Sequence, residues 1–184
     1  ITDKITVFAN YTYLDSEVRQ SVSDFCLATP SVACLNSNPA NFPAGSAAGS
    51  ITIADPQKGD DIIQTPKHSG SLFTSYRLPF GLELGYGLTY QGSFALNQRT
   101  LLGRIQYRSE DWITQRLFAS YEIRKGLTAQ VNVQNLFNEH YYTGIRNNIG
   151  TTLTGATANN GVITGGWATP GEGRSATFSL FVNF

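Results

Sequence analysis

Charge is scarce in this sequence. Only 14% of its residues are Asp, Glu, Lys or Arg, where soluble domains carry roughly 25%. The 13 basic and 13 acidic side chains cancel, so the basic excess of a phosphate-binding surface is missing and no nucleic-acid partner is expected. No apolar run approaches the roughly 18 residues of a membrane-spanning helix, which excludes that route across a bilayer. It does not exclude strands, which need only about 9–11 alternating residues. Methionine is absent, and strand-like alternation is present from the first residues; we expect a processed chain or a fragment of a longer one. Cysteine is confined to Cys26 and Cys34, within a Pro-, Ser-, Asn- and Ala-rich segment. In an oxidising compartment such a pair is expected to form a disulfide that clips a long loop.

What is abundant is alternation. In LELGYGLTYQG, residues 82–92, Leu82, Leu84, Tyr86, Leu88 and Tyr90 fall on one side of an extended chain and Glu83, Gly85, Gly87, Thr89 and Gln91 on the other. Five more segments repeat the pattern: ITVFANYTYL, SLFTSYRL, RLFASYEI, LTAQVNVQ and SATFSLFVNF. Each has an apolar face and a small, polar one, although Phe8 and Leu14 blur the first segment.

A hairpin must keep the same face outward on both arms. In LPFGL this requires a three-residue loop, 79–81, with Pro79 and Phe80 in a type I turn and Gly81 left-handed. IRKGL predicts a second such loop at 124–126. The first register places Arg77 opposite Glu83 on the polar face, a wall-lacing pair rather than a catalytic one. Long connections, about 19–66, 93–114 and 143–173, then fall at the opposite end of the sheet. Short turns at one end and elaborate loops at the other characterise outer-membrane barrels. Tyr11, Tyr13 and Tyr90 are expected near the outer interface, and Tyr76, Tyr121 and Phe184 near the periplasmic one. The fold class is therefore all-β, an antiparallel transmembrane β-barrel portion, with lipid on the apolar face. The competing arrangement is a soluble sandwich whose apolar faces pack together.

PKHSGSLFTSYRLPFGLELGYGLTYQGS, VNVQNLFNEHYYTGIRNN and PGEGRSATFSLFVNF resemble the C-terminal part of a TonB-dependent outer-membrane siderophore receptor over most of residues 64–184. YYTGIRNN followed by a Trp and PGEGR is most similar to the catecholate branch. The resemblance implies a 22-stranded barrel filled by a plug, with import driven by the TonB complex. It makes the six segments the last strands of that barrel, since six cannot enclose such a lumen or leave bare edges in lipid. Either a fragment or one half of a split receptor is implied. The ending, with Phe178, Leu180, Val182 and Phe184 on one face, resembles the signal read by the barrel-assembly machinery. The C-terminus is then periplasmic.

No catalytic constellation is visible, and the chain is not expected to be an enzyme. His68 and Ser69 are adjacent on a strand and point to opposite faces, and His140 sits beyond a strand end. GYG at 85–87 is no phosphate loop, because no helix follows. Asp15, Glu17, Asp55, Asp60 and Asp61 lack calcium-loop spacing and are expected to be solvated loop carboxylates. The candidate ligand-binding residues are Arg104, Tyr107, Arg108 and Trp112 in the second long connection, and Arg146 and Trp167 in the third. Guanidinium and ring groups at a barrel mouth suit an anionic, aromatic ferric siderophore, the expected transported ligand; no intrinsic cofactor is expected. Contacts between loops or with lipopolysaccharide are the alternative role for each. A passive channel or a surface scaffold or adhesin is the alternative for the whole barrel. The run 148–166 reads as an outer loop or a hairpin above the membrane.

Overall fold

The computed structural model describes residues 4–21, 57–99, 105–149 and 163–183. Cys26, Cys34, Asp55, Arg104 and Phe184 lie outside these residues, as does the middle of the 148–166 run. The described residues form eight strands: β1 Ile5–Tyr13, β2 His68–Arg77, β3 Leu82–Gln91, β4 Trp112–Arg124, β5 Leu127–Gln134, β6 Tyr142–Ile149, β7 Ile163–Pro170 and β8 Ser175–Val182. All described pairings between these strands are antiparallel. Six strands form one sheet in the order β1-β2-β3-β4-β5-β8, and β6 and β7 form a separate two-stranded hairpin between β5 and β8.

The register carries the alternation across the sheet without a change of face. Ala9 pairs with Leu72, Leu72 with Leu88, Ala119 with Val131, and Val131 with Phe178. On the other face Glu83 pairs with Ser120, and Gln130 with Ser120 and Ser179. A one-residue slip would mix the two sets, so the pattern itself specifies the pairing.

The apolar face packs against nothing among the described residues. Leu84, Val131 and Leu180 are 46%, 38% and 54% exposed, and the only buried apolar residues among those described, Phe94 and Ala95, belong to a loop. A sandwich would bury these strand residues in a shared core. Tyr11, Tyr13 and Tyr90 gather at the loop end of the apolar face, where the Tyr11 hydroxyl lies 2.6 Å from Nδ1 of His68 and Tyr13 packs on the same imidazole. Tyr76 and Tyr121 lie toward the turn end, paired with Leu84 and Leu82 respectively.

The two tight turns differ by one residue. At the first, Leu78 and Leu82 flank Pro79, Phe80 and Gly81; the Leu78 N–H donates to Leu82 O at 2.7 Å and Gly81 has φ +89°. Arg77 Nη2 reaches Glu83 Oε2 at 3.1 Å across the pair, and Ser75 Oγ donates to Glu83 Oε1 at 2.8 Å. At the second, the loop is Lys125–Gly126 rather than 124–126, because Arg124 pairs with Leu127 and a bulge between Glu122 and Arg124 absorbs the extra residue. The bulge leaves Ile123 without a register partner and sets Arg124 opposite Leu127.

Gly126 has φ +79°, and a Cβ there would stand 2.6 Å from the backbone oxygen of Asn183, whereas Gly81 faces open space. Gly81→Ala should therefore cost about 1–2 kcal/mol from the left-handed backbone alone, and Gly126→Ala more. Unfolding midpoints of the two variants check the order.

Candidate functional site

The described polar and aromatic candidates occupy the loop end of the sheet, in three structural units. The first joins residues 57–67 to 93–111. Asp60 accepts hydrogen bonds from the Arg99 backbone N–H, at 2.7 Å, and from the Arg99 guanidinium. Its own backbone oxygen receives the Val18 N–H at 2.8 Å. Next to it, Asp61 accepts from Arg108 and from Lys67 Nζ at 3.1 Å, and Lys67 also reaches Asp15 at 3.2 Å. The Asp61 carbonyl takes the amides of Gln98 and Gln106, and the Gln64 N–H donates to Ala95 O at 2.9 Å. Asn97 closes the second loop on itself, donating to Ile105 O and accepting from the Tyr107 N–H, each at 2.9 Å.

The electrostatics fit a clamp. Partial burial pushes the Asp61 carboxyl up, but hydrogen bonds from Arg108 and Lys67, and their charges, outweigh it and hold the group below the usual carboxylate range. Lys67 is raised by hydrogen bonds to Asp61 and Asp15 and by their charges.

The second unit is the rim. The Trp112 ring lies 4.4 Å from the Tyr141 ring, tilted by 39°. Any side chain at Gly171 would overlap Tyr141, so glycine is what admits the ring. Asn135, buried at φ +46°, donates to the carbonyls of Glu139 and Glu172, both at 2.9 Å, and accepts the Glu139 N–H at 2.8 Å. Asn138, φ +56°, accepts the Arg174 N–H at 3.1 Å. Asn tolerates the left-handed region while its amide replaces missing backbone partners, and here it fastens both feet of the β6–β7 hairpin to the wall.

The third unit is that hairpin. Arg146 and Trp167 are direct cross-strand partners. The indole lies over Gly144, 3.6 Å from the position a Cβ would take, and is exposed.

Among the described candidates, Arg146 and Trp167 stand directly opposite each other in the register, which puts a cation and a ring on one face of the hairpin. Arg108 does not stand free for a ligand: its donors go to Asp61, to Ser93 Oγ at 3.4 Å and to Ser93 O at 3.3 Å. Tyr107 belongs to the same clamp, and Trp112 to the rim. Asp60 corrects the expectation of solvated loop carboxylates, because its side chain is fully buried against Arg99. Its partner is 39 residues away in sequence, and local pattern gives no sign of such a contact.

A fourth feature went unread. On the polar face one cross-strand row runs Phe8, Phe73, Gly87, Arg116. The Arg116 guanidinium lies over the Phe73 ring, 5.4 Å from its centroid, in the space a side chain at Gly87 would fill. Phe73 and Phe118 both approach within 3.1 Å of where a Cβ of Gly85 would be. The signal was available: phenylalanine interrupts the polar alternation on three of the first four strands.

The family profile described as TonB dependent receptor-like, beta-barrel, matches residues 3–136. The metal-pseudopaline receptor CntO of Pseudomonas aeruginosa is 29% identical over 131 residues, 69% of this chain and 16% of CntO. The siderophore receptor PiuA of Acinetobacter baumannii is 26% identical over 187 residues, covering 100% of this chain and 19% of PiuA. In three dimensions the PiuA crystal structure superposes with TM-score 0.62 at 23% identity over 98% of this chain and 20% of PiuA. For the closed form of the ferric-catecholate import receptor Fiu of Escherichia coli K12 the TM-score is 0.56 at 18% identity, over 98% of this chain and 19% of Fiu. The chain thus spans about a sixth to a fifth of the length of these relatives. With the profile covering most of its length and the sheet matching the wall of solved barrels, this chain belongs to the TonB-dependent receptor β-barrel family.

Proposed function

We propose that this chain supplies wall and mouth to an outer-membrane receptor for energy-coupled uptake of a ferric siderophore. The pairing of Arg146 with Trp167 on an exposed hairpin above the rim is the observation that carries the ligand class. A ferric siderophore complex with negative charge and aromatic groups meets a guanidinium and an indole there, charge complementarity and stacking in one place. Iron stays chelated by the small molecule and takes no ligand from this chain. The family membership supports the remaining partners: a plug inside the barrel, the TonB complex acting on it, lipid around the apolar face and lipopolysaccharide beside the loops. The two tight turns and the C-terminus then face the periplasm. Phe178, Leu180 and Val182 share the apolar face and, with Phe184, serve as the assembly signal. Cys26 and Cys34 are proposed to be joined by a disulfide in the first long connection.

The test uses the full receptor that carries this sequence. Arg146→Ala with Trp167→Ala should weaken ferric-siderophore binding by about 10–100-fold, the equivalent of about 1.4–2.7 kcal/mol, with uptake falling in parallel. Adding Arg104→Ala should deepen the loss. Arg108→Gln should leave affinity nearly unchanged, since its guanidinium serves the clamp. Unchanged binding and uptake in the Arg146, Trp167 double variant would defeat the ligand-site reading.

A further inference from the structure

The β6–β7 hairpin carries Arg146 and Trp167, yet the ladder of the wall does not set its direction. Its strands pair only with each other, and among the described residues neither comes within 8 Å of a wall strand, Cα to Cα. A two-stranded hairpin standing alone is marginal in water, so its base must hold it. Arg146 lies four residues beyond the first residue of β6, about 13 Å along the strand. A swing of about 10° at the base would carry it about 2 Å sideways, well past the roughly 0.5 Å range over which an N–H to oxygen hydrogen bond keeps its strength.

Two anchors hold that base. Asn135, just past β5, ties its two ends together through the carbonyls of Glu139 and Glu172. The other anchor is a ring stack on the neighbouring strand: Tyr141, immediately before β6, packs on Trp112, the first residue of β4, with ring centroids 4.4 Å apart. Gly171, just past β7, seats the Tyr141 ring, since a Cβ there would overlap it, and the Gly171 N–H donates to Tyr141 O at 2.8 Å. One anchor is a pivot; two on adjacent strands fix an angle. The indole N–H of Trp112 makes no hydrogen bond among the described residues, so the ring face is what Trp112 contributes.

We propose that Trp112, acting through Tyr141, is a positioning residue: it fixes the angle of the β6–β7 hairpin over the rim and so places Arg146 and Trp167, touching no ligand itself. Its effect on binding rests on the ligand-site reading above; its effect on the hairpin rests on the fold alone.

The experiment uses the full receptor in bilayers, with nitroxides attached through p-acetyl-phenylalanine at Thr89 on the wall and Ala168 on the hairpin, a chemistry that spares cysteine. Pulsed electron–electron resonance should give a narrow distance distribution, which Trp112→Ala shifts or broadens by about 2 Å or more. Trp112→Phe, which keeps a ring on Tyr141, should restore it. Gly171→Ala, which evicts the Tyr141 ring and leaves Trp112 in place, should reproduce the change, and it carries the test if Trp112→Ala lowers the yield of folded barrel. In unlabelled receptor, Trp112→Ala should weaken binding of a ferric tris-catecholate probe about tenfold with the barrel's melting temperature unchanged. Added to the Arg146→Ala, Trp167→Ala variant it should cost nothing further, because residues that act as a unit do not add. Unchanged distances in both Trp112→Ala and Gly171→Ala would overturn the brace, whatever the probe does. Losses that multiply between Trp112→Ala and the double variant would overturn it too, by making Trp112 a ligand contact. Altered distances with unchanged affinity would keep the brace and count against the ligand-site reading of Arg146 and Trp167.

Discussion

Leu72→Arg and Val131→Arg should each cost about 2–4 kcal/mol of barrel stability and sharply reduce the amount of heat-modifiable receptor in outer membranes. Both residues sit mid-strand on the apolar face, 38% exposed, and both pair with other apolar residues in every direction the register allows. A guanidinium there must shed water into hydrocarbon or drag water in with it. Thr89→Arg, one residue along from Leu88 on the opposite face, reaches a wet lumen and should cost well under 1 kcal/mol, as surface substitutions usually do. The contrast matters more than either value. A soluble sheet would give the same loss for Leu72→Arg only by burying Leu72, which the exposure excludes for this chain alone.

Asp60→Ala should release the two clamped loops together, at a local cost of about 2–3 kcal/mol. It strands the Arg99 backbone N–H and a guanidinium that is partly buried. The figure sits below that of a fully buried pair because Arg99 can turn toward water. Hydrogen exchange should quicken at the amides of Val18, Gln64 and Ser109, whose partners lie across the same loops. Protease should cut within 57–67 and 93–111 before the wall. Acid should act on the neighbouring carboxylate in the same sense. The folded pKa of Asp61 is depressed, so its contribution is complete above the ordinary carboxylate value of about 4 and is lost as pH falls through the lower folded value. Lys67 is raised; its contribution is complete below about 10.4 and is lost only as pH rises through the higher folded value. The clamp therefore holds across neutral pH and opens at both extremes. Asp61→Asn should flatten the acid limb.

The six wall strands were legible because one face of each must be apolar and period two follows from strand geometry alone. LTAQVNVQ states its two faces without exception, and the Leu78 to Leu82 turn follows from matching faces, which in turn placed Arg77 against Glu83. β6 and β7 were less legible. Their glycines, Gly144, Gly165 and Gly166, blur any alternation, and the hairpin is recognised from pairing rather than pattern. The second turn is one residue shorter than face matching predicts, because a bulge between Glu122 and Arg124 absorbs Ile123. The clamp was hidden for another reason. Asp60 follows Lys58 and Gly59 in what reads as a hydrophilic loop, and its burial depends on Arg99 arriving from a different connection. Residue type alone marks Arg108 for a ligand, whereas its hydrogen bond to Asp61 depends on a residue 47 positions away. Residue type likewise marks Arg146 and Trp167, which the cross-strand register sets opposite each other.

The orientation of the two faces is tested most directly by nitroxide labels in the receptor reconstituted into bilayers. Labels replace Leu72, Leu88, Val131 and Leu180 on one side of the strands, and Thr89 and Gln130 on the other. The first four should collide readily with dissolved oxygen and poorly with a water-soluble nickel chelate; the other two should show the reverse. Nickel reaching Leu72 and Val131 as freely as it reaches Thr89, or neither collider reaching them, would contradict a lipid-facing wall and everything built on it.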